Sequence, residues 1–256
     1  MAEREQTEAE YLASYNPRAF PPQSVTVDMV LLTIRDGALS VLLIERGGHP
    51  FKGYWALPGG FVGSDEGLDE AARRELAEET GLEEFPGHFE QLRTYGAPAR
   101  DPRMRVFSVA YLGFMPNLPA PMAADDAAQA RWWPIADLEV TDGDELTYDQ
   151  LAFDHSAILL DGLDRARAKL EYSTLATSFV KSPFTISELR RVYEAVWGVK
   201  LHDANFRRKV LSTEGFVVPT GGRKSIGRGP GVQLYRPGEG KILFPPMLRP
   251  AWDESE

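Results

Sequence analysis

Cysteine is absent from this 256-residue chain, which removes disulfides, thiolate metal sites and cysteine nucleophiles together. There are only four histidines, so any metal must be held by oxygen or by one of those four. Long apolar runs are also missing, and no segment approaches the roughly 20 residues needed to span a bilayer. The first residues, MAEREQTEAEYLASYNPRAFPPQ, are acidic and polar where an export signal needs a basic start and an apolar run. These absences point to a cytoplasmic protein with no membrane partner. No internal repeat and no extended low-complexity tract is present either.

The composition is that of a soluble globular protein, 43% hydrophobic and 26% charged, in a chain able to bury one large core or two modest ones. A net charge of -10 argues against nucleic acid until its distribution is read. Residues 1–171 hold 15 Lys+Arg and 30 Asp+Glu, residues 172–250 hold 13 and 5, and the tail 251–256 holds none and 3. An acidic body is therefore joined to a basic end, the asymmetry of a chain in which one part handles nucleic acid and the other does not.

Residues 24–35 (SVTVDMVLLTIR) and 39–46 (LSVLLIER) read as two strands across an Asp36-Gly37 turn, and residues 54–62 (YWALPGGFV) as a third extended run. Residues 67–80 place Leu68, Ala72 and Leu76 at four-residue spacing, the buried stripe of an amphipathic helix that stops at Gly81. Strand-like runs follow at residues 105–114 and 130–134, and residues 148–175 read as one long helix. This first body is α+β.

From residue 173 the pattern changes. Residues 185–196 begin with a Thr cap and a Glu three residues on, residues 203–213 begin with an Asp cap, and both read as short helices. Strand-like residues 215–220 and 232–236 then flank the loop GGRKSIGRGPG. Helix, turn, helix and basic hairpin is the layout of a winged helix-turn-helix. The division is a polar leader 1–23, a body 24–172, a basic module 173–250 and an acidic tail 251–256.

The chemistry-bearing segment runs from Gly60 through Glu66 and Arg74-Glu75-Leu76 to Glu78-Glu79 and Gly81-Leu82. On a helix Glu75, Glu78 and Glu79 stand at i, i+3 and i+4, so three carboxylates share one face and repel unless a cation lies among them. Mg²⁺ or Mn²⁺ suits such oxygen ligands and commonly bridges them to substrate phosphates. A carboxylate beside a metal-bound water can take its proton. Gly59 and Gly60 let backbone approach metal and phosphate, and Arg74 can hold a glutamate or a phosphate oxygen. AARRELAEE alone would read as a solvated helix face; the complete spacing decides against that.

This segment matches every fixed position of the Nudix box, and residues 24–170 resemble a Nudix domain. The resemblance implies an α/β/α sandwich with Glu75, Glu78 and Glu79 as metal ligands and Gly60 beside them. Residues 93–105 (RTYGAPARDPRMR) and 151–159 (LAFDHSAIL) look like the ADP-ribose branch of that superfamily. Arg93 and Arg105 are the ligand-binding arginines this reading offers, Arg46 before the loop to Trp55 is either a further phosphate contact or a surface arginine at a strand end, and His155 is read as a structural, hydrogen-bonding histidine.

In the basic module Asn205, Arg207, Arg208 and Lys209 occupy the first turns of the second helix, where a recognition helix meets bases and phosphates. Arg223, Lys224 and Arg228 lie on the glycine-rich loop, suited to a wing that tracks the backbone or the minor groove. With both modules, nearly the whole chain resembles the Nudix-related transcriptional regulators of NAD metabolism, the NrtR family. The resemblance implies a homodimeric repressor of NAD biosynthesis or salvage genes, bound to double-stranded operator DNA and gated by ADP-ribose or a related nucleotide. Many members of that family have a degraded catalytic box, and this one is intact, so hydrolysis of the effector and a box kept for binding both stay open. The alternative is a Mg²⁺-dependent ADP-ribose pyrophosphatase with an accessory C-terminal domain. An RNA-binding enzyme is weaker, because no aromatic stacking surface accompanies the cations.

Overall fold

The computed structural model describes residues 6–80, 87–116, 118, 127–138, 147–225 and 231–250, apart from the side chains of residues 79, 80, 127, 128 and 149. The leader forms a short helix α1 (Glu8–Ser14) behind a Thr7 capping box, with no buried residue. Strands β1 (Ser24–Arg35), β2 (Ala38–Arg46), β3 (Trp55–Ala56) and β4 (Gly59–Phe61) follow, then helix α2 (Leu68–Thr80). Strands β5 (His88–Tyr95), β6 (Val106–Phe114) and β7 (Ala127–Pro134) come next, then helices α3 (Ile135–Leu138) and α4 (His155–Tyr172). The second module holds α5 (Ile186–Trp197), α6 (Asp203–Ser212), β8 (Val217–Lys224) and β9 (Val232–Pro237).

β1 organises the sheet. Over most of its length it runs parallel to β6, while β4 pairs antiparallel with Thr26, Val27 and Asp28 and β2 with residues 32–35. β3 and β7 pair with β2, and β5 with β6. Successive side chains of a strand point to opposite faces, so β1 feeds two layers. Val27, Met29 and Leu31 pack with Ala71, Ala72 and Leu76 of α2. Val30 and Leu32 pack with Ile158, Leu159 and Leu163 of α4. The result is the α/β/α sandwich expected, followed by a winged helix.

The core on the α4 side does not stop at the sandwich. It continues through Leu170, Phe179 and Phe184 into Leu189, Tyr193, Trp197, Phe206 and Tyr235 of the second module. Directional bonds reinforce the join. The Tyr193 hydroxyl donates to the Leu170 carbonyl at 3.1 Å, and Trp197 Nε1 donates to the Arg167 carbonyl at 3.2 Å. Phe184 and Tyr235 exchange backbone bonds of 2.9 and 2.7 Å, an isolated antiparallel bridge beside the β8–β9 hairpin.

Several local expectations change. The single helix read over residues 148–175 is a 3-10 turn, Tyr148–Gln150, then an irregular step, then α4. Leu151 bridges Trp55, the Ala152 N–H donates to the Trp55 carbonyl, and Phe153 takes a positive φ of 56°, a left-handed conformation that breaks a helix. In α2 the buried stripe is Ala71, Ala72 and Leu76, and Leu68 stays 38% exposed. Thr185 caps α5 through a complete capping box. The cap of α6 is His202 rather than Asp203, because the Asp203 carboxylate is taken by Arg190 at 2.7 Å. β8 extends to Lys224, so Arg223 and Lys224 stand on a strand rather than in the wing loop.

Gly162 gives the closest contact of α4 to the sheet, since a Cβ there would lie 2.8 and 2.9 Å from the two γ-carbons of fully buried Val30. Ala is favoured over Gly in a helix by about 1 kcal/mol, whereas forcing a methyl into a filled core costs about 1–3 kcal/mol. Gly162→Val should therefore lower the urea midpoint, with a loss of about 2 kcal/mol or more; an unchanged midpoint would refute the close packing of α4 on β1.

Candidate functional site

A cavity of about 1170 Å³ opens between β1, β4, α2 and the start of α4. One wall is acidic. Glu75, from the buried side of α2, lies against Gly60, where a Cβ would collide with its carboxylate. Gly59 is equally constrained by Asp28 and the Val27 carbonyl, so the glycine pair passes between two carboxylates that leave no room for side chains. This gives the two glycines of the sequence motif their physical reason.

Arg74 gathers the acidic residues. Its Nε and Nη2 fork onto Glu66 at 3.1 and 2.8 Å, and its Nη1 donates to Glu75 at 2.8 Å and to Glu78 at 3.3 Å. The Arg74 bonds, with the Gly63 N–H, hold Glu66 well below the usual carboxylate range, at about 2. Burial has the opposite effect on Glu75, pushing its carboxyl up against the pull of Arg74. Among the described residues no group of three or more His, Asp or Glu is assembled for a metal; the Glu79 side chain lies outside them. A buried carboxylate, a second one turn away on the same guanidinium, and oxygen-only donors nonetheless fit a hard divalent ion.

The floor is a buried ionic network. The Arg100 guanidinium, 3% exposed, bonds both oxygens of Asp154 at 2.9 and 2.6 Å and reaches Asp28 at 3.4 Å. The Ser108 hydroxyl donates to Asp28 as well. His155 accepts the Leu57 N–H on Nδ1 at 2.9 Å, which leaves the proton of the neutral ring on Nε2, 3.6 Å from Asp28. His155 is thus hydrogen-bonded, as read from the sequence, and it also lines the cavity. Burial pushes its pKa down, with Asp28 and Asp154 opposing and Arg100 and Arg46 assisting.

At the mouth stand Arg46 and Arg103. Arg46 donates from Nε to the Pro50 carbonyl and lies 4.9 Å over the Phe153 ring. Arg103 is held by Asp101 and faces Phe61 and Phe153. The structure brings Arg46, Gly59, Gly60, Arg74, Glu75 and Glu78 to one cavity. It does not bring Arg93 or Arg105 there, a departure from the sequence reading. Arg93 pairs with Asp161 of α4 at 3.0 Å, and Arg105 lies 4.4 Å over the Phe107 ring. The arginines of the same segment that line the cavity are Arg100 and Arg103. Asp28, Asp101 and Phe153 also line it; ARDPR between two strands was the signal available for the loop, and charge alone could not say which arginines turn inward.

On the second module Asn205, Arg207 and Arg208 are exposed on α6, with Arg208 donating to the Asn205 side chain at 3.3 Å. Lys209 is half-buried and turns toward Glu171; burial lowers its pKa while Glu171 opposes that. Arg223 is exposed on β8. Lys224 is tied to Glu188, the capping-box residue of α5, at 2.6 Å. Arg228 lies outside the described residues.

Residues 22–152 match the NUDIX domain model and residues 177–236 the NrtR DNA-binding winged helix domain model. The ADPR-responsive transcriptional repressor NtrR of Acinetobacter baylyi is 34% identical over 90% of this chain and 88% of its own. The chain belongs to the NrtR family. Shewanella oneidensis NrtR, crystallised with a 27mer DNA, is similar in fold, with a TM-score of 0.64 at 33% identity over 83% of this chain and 93% of that one. Its Nudix domain, crystallised with ADP ribose, is 40% identical over 63% of this chain and 99% of that one, with a TM-score of 0.54. No helix among the described residues is long and apolar enough to cross a membrane.

The His155 environment sets a pH dependence. Unfolded, His155 binds a proton near pH 6.5; folded, it binds one only at lower pH. Its contribution to stability is therefore complete above the unfolded value and is lost as pH falls through the interval below it, by at most about 1.4 kcal/mol per pH unit. Urea midpoints taken from pH 7.5 to 5 should fall more steeply for the wild type than for His155→Gln. Parallel profiles would mean that His155 is not held neutral.

Proposed function

We propose that this chain is a DNA-binding transcriptional repressor of NAD biosynthesis or salvage genes whose operator affinity is set by ADP-ribose, or a related nucleotide, bound in the Nudix cavity. The observation that carries the reading is the single core running from the cavity floor through α4 into the winged helix. A charged pocket and an exposed basic helix on one packed body suit a sensor better than an enzyme with an unrelated appendage. Asn205 and Arg207 with Arg208 suit adenine, guanine and phosphate. One winged helix reads a half-site, which favours a homodimer on a two-fold operator. The junction between the modules is placed at the end of α4, after residue 172.

A second reading has its own support in the intact acidic wall. Glu75, Glu78 and, from the sequence pattern, Glu79 would hold Mg²⁺ or Mn²⁺ beside the Gly60 backbone. When bound, such an ion lowers the pKa of water and stabilises charge on a phosphate. Arg74 keeps Glu75 and Glu78 turned to one point. Arg46 would orient the anhydride oxygens. ADP-ribose pyrophosphatase activity is thus compatible with the sensor role.

Mobility shifts on the chain's own upstream DNA, with and without ADP-ribose and Mg²⁺, test the reading when hydrolysis is followed in the same samples. A specific shift altered by the nucleotide is expected. The double variant Arg207→Ala, Arg208→Ala should weaken operator binding by about tenfold or more, at 1–3 kcal/mol per base-reading arginine, with nucleotide binding retained. Glu78→Gln with Glu79→Gln should abolish any metal-dependent hydrolysis. Fast hydrolysis with no specific shift would leave the pyrophosphatase reading in place of the repressor.

A further inference from the structure

Four guanidiniums line the cavity, Arg46, Arg74, Arg100 and Arg103, and they differ in what their N–H groups still offer. Arg46 is bonded through Nε to the Pro50 carbonyl and lies over the Phe153 ring. Arg100 is sealed, with its charge spent on Asp154 and Asp28. Arg74 is shared among Glu66, Glu75 and Glu78. Arg103 is 41% exposed and is bonded along one edge alone. Its Nε and Nη2 meet the two oxygens of Asp101 at 3.0 and 2.7 Å, and its Nη1 has no hydrogen-bond partner among the described residues.

The anchor is rigid. The Asp101 side chain is 3% exposed and also accepts the Arg103 backbone N–H at 2.9 Å. Burial alone would raise the Asp101 carboxyl, but these bonds to Arg103 outweigh it and hold it low. The Arg103 guanidinium lies 5.2 Å from the Phe61 ring centre and 5.9 Å from that of Phe153. Phe153 holds its place at the cost of a positive φ, a strain of the kind stored at ligand sites. A guanidinium fixed on one edge by a buried carboxylate and supported by aromatic rings has lost its rotamer freedom before a ligand arrives. Its remaining N–H groups then bind an anion with little further ordering cost.

We infer that Arg103, held by Asp101 as a positioning residue, is a diphosphate-binding residue of the cavity, its Nη1 donating to phosphate oxygens at the mouth. This rests on the nucleotide-binding reading above and gives it a residue that neither the Nudix box nor the flanking arginines supply. The specificity that follows is for a doubly charged anhydride, whatever group it carries.

Calorimetric titration of the full chain in EDTA, with inorganic pyrophosphate and separately with ADP-ribose, tests it. Arg103→Gln should raise both dissociation constants by about tenfold or more, the scale of a charge-assisted hydrogen bond, with Arg103→Lys between it and the wild type. Arg103→Gln should also lower the thermal midpoint, because the buried Asp101 carboxylate loses its partner, so titrations are run well below each variant's midpoint, and Arg103→Lys, which keeps a charge beside Asp101, separates lost stability from lost ligand contact. Asp101→Asn should weaken binding severalfold alone and add nothing to Arg103→Gln, because its effect passes through that guanidinium. Additive losses would overturn the positioning role. Wild-type affinity for pyrophosphate in Arg103→Gln would overturn the inference itself. A wild type that binds pyrophosphate but not ADP-ribose would overturn the effector reading and leave Arg103 standing, and one that binds neither would overturn both.

Discussion

The contact between Arg100 and Asp154 is the constraint on which the rest of the structure turns. A guanidinium and two carboxylates taken from water pay several kcal/mol each in lost hydration, and only complete pairing recovers it. Here four separate pieces of chain supply the pairing. Asp28 comes from β1, Ser108 from β6, Arg100 from the loop after β5, and Asp154 from the step into α4. None of these pieces can shift by a residue without leaving a buried charge unpaired. The network therefore fixes the floor of the cavity and the point at which α4 begins.

From that point α4 is common to both modules. Its first residue accepts the Leu57 N–H through His155, its middle lies against β1 at Gly162, and its last turns accept bonds from Tyr193 and Trp197. The chain beyond β9 returns to the same end, where the Leu243 and Met247 N–H groups donate to Tyr172 and Glu171. A displacement of α4 at the cavity floor must either carry α5 with it or break bonds to buried aromatic side chains. The winged helix is thus not tethered by a linker free to swing. Packed cores respond to such displacements by moving between discrete arrangements rather than by deforming smoothly.

Much of this was legible in the sequence because it is written in local chemistry. The strand pattern of residues 24–35, the spacing of the glutamates, the Thr185 and Glu188 cap and the change of charge sign near residue 173 each depend on neighbours within a few residues. What could not be read depends on partners far along the chain. The break in the helix before His155 comes from Leu151 and Ala152 bonding Trp55, nearly a hundred residues away. Lys224 looks like a wing cation in sequence and is occupied by Glu188 in space. Arg93 and Arg105 carry the same charge as Arg100 and Arg103, and only the paths of β5 and the following loop decide that the inner pair reaches the cavity.

Charge pairing also explains how an acidic body can host an anion. The cavity contains Asp28, Glu75, Glu78 and Asp101, and four carboxylates at one site would repel a phosphate if they stood free. Each is instead matched to a guanidinium: Asp28 to Arg100, Asp101 to Arg103, and Glu75 with Glu78 to Arg74. The acids stay in excess, since Arg74 is shared by Glu66, Glu75 and Glu78 and Arg100 by Asp28 and Asp154, but each is held as a fixed acceptor that aims a cation. At short range, where a ligand is desolvated, the orientation of N–H groups then matters more than the net charge of the domain. A domain with 15 excess negative charges over residues 1–171 can therefore carry a cavity suited to a diphosphate, and the sign of its total charge is a poor guide to what it binds.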